Sequence, residues 1–209
     1  MQKFFESTTG QIITVAIIII LFILIIIPGK NEKDKKPDAK NITVSAILIA
    51  LGMILGQIKL FHMPEGGAVT LFSMLPIALC SYILGTRRGV MAGMCLGLLN
   101  LIFGPFVIHP VQLILDYPLA FGAMGLGGLF RNSKDGLRKC YVTGLVGRYI
   151  CAFLSGVIFF GAYAPDNFNA VTWSLWYNFT YIAAEGAITF IIISIPSVRT
   201  ALEKLKYQQ

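Results

Sequence analysis

Asp116 is the residue that most needs a chemical reason. It stands in a run that opens His109-Pro110-Val111-Gln112 and stays almost wholly apolar as far as Phe130. At membrane depth a carboxylate must be paired, hydrated in a cavity or bound to something positive, because hydrocarbon offers it nothing. Gln112 lies one helical turn earlier on the same face and Tyr117 stands beside the acid, so an acid, an amide and a phenol share one level. Two readings follow: a structural polar pair inside a helical bundle, or a binding site for a small cationic or hydrogen-bonding ligand.

Further along the chain, Ser174, Asn178, Tyr181 and Glu185 recur at i, i+4, i+7 and i+11, one polar stripe along an apolar segment. Such a stripe has to face the interior of a bundle. Arg148, Ala152, Gly156 and Phe160 are spaced by four and share a face of the preceding segment. Ala152, Ser155 and Gly156 keep that face shallow, open to another helix or to a flat ligand. Arg148 and Glu185 fall at comparable depths on inward faces, which predicts a structural ion pair holding the bundle together. Trp173, Trp176 and Tyr177 crowd the outer end of the last apolar segment. They read either as an interfacial aromatic belt or, with the acid, as an aromatic box for a cationic ring.

No catalytic set is visible. There is no nucleophile with a nearby base, no phosphate-cradling glycine loop and no metal-ligand pair, so neither enzyme activity nor a cofactor is expected. Cys80, Cys95, Cys140 and Cys151 show no CxxC spacing, and His62 and His109 lie in separate loops.

The elements that must position these residues are apolar. Hydrophobic residues make up 56% of the 209 and charged residues 13%, and the apolar ones come in long blocks, which predicts a polytopic membrane protein. A first block, 12–27, is followed by a charged linker over 30–40. Six more blocks run 42–58, 68–84, 89–103, 110–130, 141–160 and 171–195, the second interrupted by Pro76. The expected organisation is an extra N-terminal transmembrane helix within 1–29, a cytoplasmic linker over 30–40 and a six-helix membrane domain over 41–209.

The net charge of +7 does not point to nucleic acid, since the basic residues sit between apolar blocks and report topology. Placing the linker inside also puts Arg87, Arg88, Arg131, Lys134, Arg138, Lys139, Arg199, Lys204 and Lys206 inside. The expected arrangement is a multi-pass plasma-membrane protein with its N-terminus outside and its C-terminus cytoplasmic. Loops 61–67, 104–109 and 161–170, rich in glycine and aromatics, then form the outer face. The chain carries no ATP-binding domain, so any pumping needs a partner or an ion gradient.

Three groups of residues resemble the thiamine-specific substrate-binding subunits (S-components) of energy-coupling factor transporters. The first is Met63-Pro64-Glu65-Gly66-Gly67 with Ser73-Met74-Leu75-Pro76 and Arg87-Arg88-Gly89. The second is His109-Pro110-Val111-Gln112 with Asp116-Tyr117-Pro118-Leu119-Ala120-Phe121. The third is Tyr163-Ala164-Pro165 with Ser174-Leu175-Trp176-Tyr177-Asn178. The likeness runs from about Asn41 to the C-terminus and leaves the first helix outside.

This resemblance implies an all-α, six-helix S-component that binds its vitamin near the outer surface. It also implies docking on a shared transmembrane coupling protein driven by two ATPases. The implied ligand contacts are Asp116, Tyr117, Asn178 and Gly156. Ala152 stands where the family typically has a histidine, Phe160 where it has a tryptophan, Trp173 where it has a tyrosine, and Phe106 where an aromatic precedes the fourth helix. Ala46 and Ala50, a small-xxx-small pair, match the docking motif of such subunits. Thiamine is the implied ligand, with a pyridoxine-type vitamin or a thiamine pyrimidine precursor as the alternative. From other classes, an intramembrane enzyme or a purely structural membrane subunit stays open.

Overall fold

The computed structural model of the chain describes residues 8–26, 39–103 and 105–207. Positions 30–38 of the expected linker lie outside the described residues. The architecture is an all-α bundle with one small hairpin. Helix α1 (Thr8–Ile26) is followed by α2 (Ala39–Gln57), the strands β1 (Lys59–His62) and β2 (Ala68–Thr70), and two short helices, α3 (Leu75–Leu84) and α4 (Thr86–Asn100). Then come α5 (Pro110–Phe130), α6 (Gly136–Phe159), α7 (Ala170–Ser194) and α8 (Pro196–Tyr207).

Among the described residues, α2, α5 and α6 are each long and apolar enough to cross a membrane, and α7 with α8 forms a fourth candidate bent by 86°. The bend is chemical: Pro196 cannot supply the amide that a continuing helix needs. α8 carries Arg199, Lys204 and Lys206 and leaves the bundle axis as a separate amphipathic helix. The loop between α5 and α6 holds it there. Lys206 Nζ donates to the Arg131 carbonyl at 2.7 Å and to Asn132 Oδ1 at 2.9 Å, and Arg199 lies 3.6 Å from the Asp135 carboxylate.

The block 68–84 is not one helix. Its first residues form β2, which pairs antiparallel with β1, and α3 begins only at Leu75 with Pro76 in its first turn. Proline is well placed there, where its missing amide would have had no partner. Gly85, at φ 95°, separates α3 from α4 in a backbone conformation that suits glycine.

α5 packs between α4 and α6 at unusually short range, and glycine permits it. A Cβ on Gly93 or Gly97 of α4 would collide with the Phe121 or Tyr117 backbone of α5, and one on Gly144 of α6 would meet Met124. These contacts fix the depth of Asp116. Midway, α5 opens into a wide π-turn over Leu115–Leu119, where Pro118 withholds its backbone donor. Asp116 and Tyr117 sit in that turn.

The apolar core lies between the cavity and the basic end. Ile77, Leu96, Met124, Leu137, Tyr141, Ile182 and Ile193 are fully buried or nearly so. A second cluster of Val90, Leu115, Leu119, Ala120, Ala123 and Cys151 takes Ile19 of α1 against it, so the additional helix packs beside the wide turn.

Candidate functional site

Three caps set the elements around the cavity. α5 starts where His109 Nδ1 accepts from the Val111 amide at 3.1 Å, with Pro110 in the first turn. α7 starts with a reciprocal box in which Asn169 Oδ1 accepts from the Thr172 amide at 2.9 Å and Thr172 Oγ1 accepts from the Asn169 amide at 3.0 Å. α6 ends at Phe159, next to Phe160 and the 161–169 loop.

Between these elements lies a cavity of about 390 Å³. All eight residues expected to contact a ligand, Phe106, Asp116, Tyr117, Ala152, Gly156, Phe160, Trp173 and Asn178, line it. The sequence placed them on four separate stretches, and the bundle brings them around one cavity. Gly156 is required there. A Cβ on it would run into Ser174 and come within 3.0 Å of the Asn178 amide nitrogen, so the small residue lets α7 approach α6.

The acid is held by its own helix. Gln112, 1% exposed, donates from Nε2 to Asp116 Oδ2 at 2.6 Å and to the Phe106 carbonyl at 3.1 Å, while its Oε1 accepts from the Ile108 amide at 3.2 Å. Tyr117 Oη accepts from the Phe106 amide at 2.9 Å. The polar level seen in the sequence therefore does two jobs: it orients the carboxylate and ties down the loop that carries Phe106. Phe106 in turn stacks on Phe160, with ring centroids 6.0 Å apart.

Along α7 the polar stripe faces inward as expected. Asn178, 5% exposed, donates to the Ser174 carbonyl at 2.9 Å and accepts from Tyr181 Oη at 3.0 Å. Trp173 stands against Tyr177 and Phe168, at 5.7 and 5.5 Å between centroids, so aromatic faces enclose the upper cavity. Trp176 is exposed and takes no part in the cavity lining.

The expected ion pair between Arg148 and Glu185 is not formed. Glu185, 1% exposed, is already saturated by donors from the β2–α3 segment. Its Oε2 accepts from Thr70 Oγ1 at 2.6 Å and the Thr70 amide at 3.2 Å, and its Oε1 accepts from Ser73 Oγ at 2.9 Å and the Met74 amide at 3.3 Å. Arg148 instead lies over the Phe121 ring, 4.0 Å from its centroid, and lines the cavity. Matching depth on two helices did not give matching direction, because a closer set of neutral donors reached the carboxylate first.

Those donors follow loop 61–67, whose glycine- and aromatic-rich composition suits a lid over a pocket; the sequence reading missed that this lid is a strand hairpin running on into residues 68–70. The β1–β2 hairpin folds over the cavity, with Lys59, His62, Met63, Gly66 and Gly67 in its lining. Tyr177 secures the tip: its hydroxyl accepts from the Gly67 amide at 2.9 Å and donates to the Pro64 carbonyl. Gly66, at φ 90°, makes the turn, and a Cβ there would strike Phe106. The Gly66-Gly67 pair between two short segments was the available hairpin signal.

Among the described residues no group of three or more His, Cys, Asp or Glu side chains could hold a metal ion. Ala46 and Ala50 lie away from the cavity on α2, both exposed.

Comparison with known proteins then bears directly on this arrangement. Residues 42–204 match the family model described as thiamine transporter protein. The chain belongs to that family. It is 34% identical over 169 residues to the thiamine transporter ThiT of Bacillus subtilis, covering 72% of this chain and 86% of the relative. It is 32% identical over 173 residues to ThiT of Lacticaseibacillus paracasei, covering 72% and 83%. A solved structure of ThiT from Listeria monocytogenes superposes with a TM-score of 0.69 at 27% identity, over 79% of this chain and 96% of that one. The S-component-like bundle expected from the sequence is thus the fold, and α1 precedes the stretch that the family model matches.

Proposed function

We propose that the chain is the thiamine-binding S-component of an energy-coupling factor importer, with Asp116 as the charge-recognising residue. The observation that carries this reading is the convergence of the Asp116 carboxylate and several aromatic faces on a single lidded cavity in a member of a transporter family. Thiamine offers that cavity a fixed positive charge and an aminopyrimidine. Phe106, Tyr117, Phe160 and Trp173 supply faces for stacking and cation–π contact, each worth about 0.5–2 kcal/mol. Asn178 reads donor and acceptor edges of the ring. Gly156 lets α7 close on α6 and so brings Asn178 to the cavity, and Ala152 adds a methyl group where an imidazole would add a polar contact.

The ligand enters from outside beneath the hairpin, with the basic loops and α8 in the cytoplasm. Energy comes from a transmembrane coupling protein and two ATPases. α2 is the docking helix: Ile42, Ala46, Ile47, Ala50 and Ile54 are all exposed, so the small-residue pair lies within an otherwise bulky apolar surface. Such a pair lets a partner helix approach the backbone.

Titrating thiamine, pyridoxine and hydroxymethylpyrimidine into the purified chain, followed by tryptophan fluorescence, tests the assignment. Asp116→Ala should weaken thiamine by about 2–5 kcal/mol, roughly 30-fold to several-thousand-fold. Tight thiamine binding indifferent to this change would refute the role given to the carboxylate. Tight binding of a neutral ring alone would overturn the choice of vitamin.

A further inference from the structure

α1 is the helix that neither the cavity nor the family match accounts for. None of its described residues lines the cavity, and it precedes residues 42–204. Its exposed large residues are Ile12, Ile13, Ile17, Ile20, Ile23 and Leu24. At about 100° per residue they fall within roughly 140° of one face, the arc that a helix shows to lipid. Gly10 and Ile19 lie outside that arc, one beyond each border. Gly10 is buried and Ile19 half-buried. α1 is therefore more than a loose membrane anchor. It packs along α4 and along the first half of α5, the wide turn included.

That turn is the weak place in α5. Pro118 has no amide to return to the preceding turn, and the Ala120 amide reaches back five residues to the Leu115 carbonyl. A membrane helix tolerates such a break where neighbouring helices pack against it. Ile19 packs on the cluster that contains Leu115 and Leu119, the first and last residues of the turn. Both leucines are buried, at 0% and 2% exposure, and neither lines the cavity. Asp116 and Tyr117 stand between them and do line it. Gln112 steadies the Asp116 carboxylate at 2.6 Å, but the backbone that carries the acid is held by the two leucines.

We propose that α1 is a positioning element for ligand recognition. Through Ile19 it holds Leu115 and Leu119 from the side away from the cavity, and so fixes where Asp116 points. Ile19 touches no ligand and acts only through α5. The proposal rests on the thiamine reading for its probe and for the role of Asp116.

The test uses the full chain and thiamine titrations followed by tryptophan fluorescence. Ile19→Ala should weaken thiamine about three- to ten-fold, and Ile19→Val, shorter by one methyl group, should fall between it and the parent. Ile20→Ala, on the lipid-facing arc at 56% exposure, should bind as the parent does. The decisive comparison repeats both Ile19 changes in an Asp116→Ala chain. With no carboxylate left to aim, each should add less than about a twofold loss.

Unchanged affinity in Ile19→Ala overturns the proposal. So does an equal penalty with and without the Asp116 carboxylate, which marks general packing. If the alanine variant does not fold, Ile19→Val carries the same comparison: a loss confined to chains with Asp116 supports the proposal, and no loss or an equal loss overturns it. A parent chain that ignores thiamine but binds pyridoxine overturns the vitamin assignment alone. The same variants are then titrated with pyridoxine, with the same outcomes for α1.

Discussion

Glu185→Gln is the sharpest probe of how the lid is held. The substitution keeps shape and volume and exchanges one carboxylate oxygen for an NH₂ group. Four donors converge on the two oxygens, at 2.6, 2.9, 3.2 and 3.3 Å. In either amide orientation the NH₂ faces one hydroxyl and one backbone amide. The hydroxyl can turn and become an acceptor, because Thr70 Oγ1 and Ser73 Oγ already bond to each other at 2.7 Å. The backbone amide cannot. The loss is therefore one stranded N–H plus the weakening of bonds that had a charged acceptor, about 2–4 kcal/mol. At about 2–4 °C per kcal/mol for a chain of this size, ligand-free protein in detergent should melt about 4–16 °C lower. Arg148→Met should show no such drop, whereas an Arg148–Glu185 pair would make both variants fall together. A Glu185→Gln protein melting within a degree of the parent would refute the saturated-carboxylate account.

Three other outcomes are expected. Gly156→Val should push α7 away from α6 through Ser174 and weaken vitamin binding at least tenfold; unaltered affinity by fluorescence titration would show that the close approach is dispensable. With the native cysteines removed, single cysteines at Lys134 and Tyr207 should resist a membrane-impermeant thiol reagent in intact cells while one at Asp166 reacts. Labelling at either of the first two would reverse the proposed orientation. Ala50→Trp should abolish uptake while the isolated chain still binds its vitamin, and equal loss of both activities would place the pair inside this protein's own packing.

Much of the site was legible because membrane burial makes polar residues conspicuous. The stripe Ser174, Asn178, Tyr181 and Glu185 stands out against an apolar helix, and its inward direction follows from the cost of the alternative. Asp116 was legible for the same reason. Pairings were harder. Glu185 and Arg148 looked like partners because helical depth can be read from the sequence, but rotation between two helices cannot. The donors that reached Glu185 come from Thr70, Ser73 and Met74, in a stretch read as the start of an apolar helix. Pro76 hinted at a broken end, and the strand before it was hidden because Ala68-Val69-Thr70 continues the hydrophobic run. Short apolar stretches look alike as strand or helix, and the pairing that decides between them lies outside the window.

The lid and the two proposed surfaces are joined by covalent geometry. α2 runs through Ile58 directly into β1, so the hairpin begins where α2 ends. On that helix Gly52, Gly56 and Gln57 line the cavity, while Ala46 and Ala50, between half a turn and three turns earlier, face outward. At its other end the hairpin is fastened to α7 by Tyr177 at its tip and by Glu185 at its base. α7 also supplies Trp173 and Asn178 to the cavity. A ligand that settles against α7 thus acts on the helix to which the lid is tied, and a lid that shifts pulls on the end of the helix proposed for docking. An apolar docking face has no chemistry of its own for sensing a vitamin. In this chain the cavity-lining end of α2 and the hairpin that follows it are the physical routes by which occupancy of the cavity could reach it.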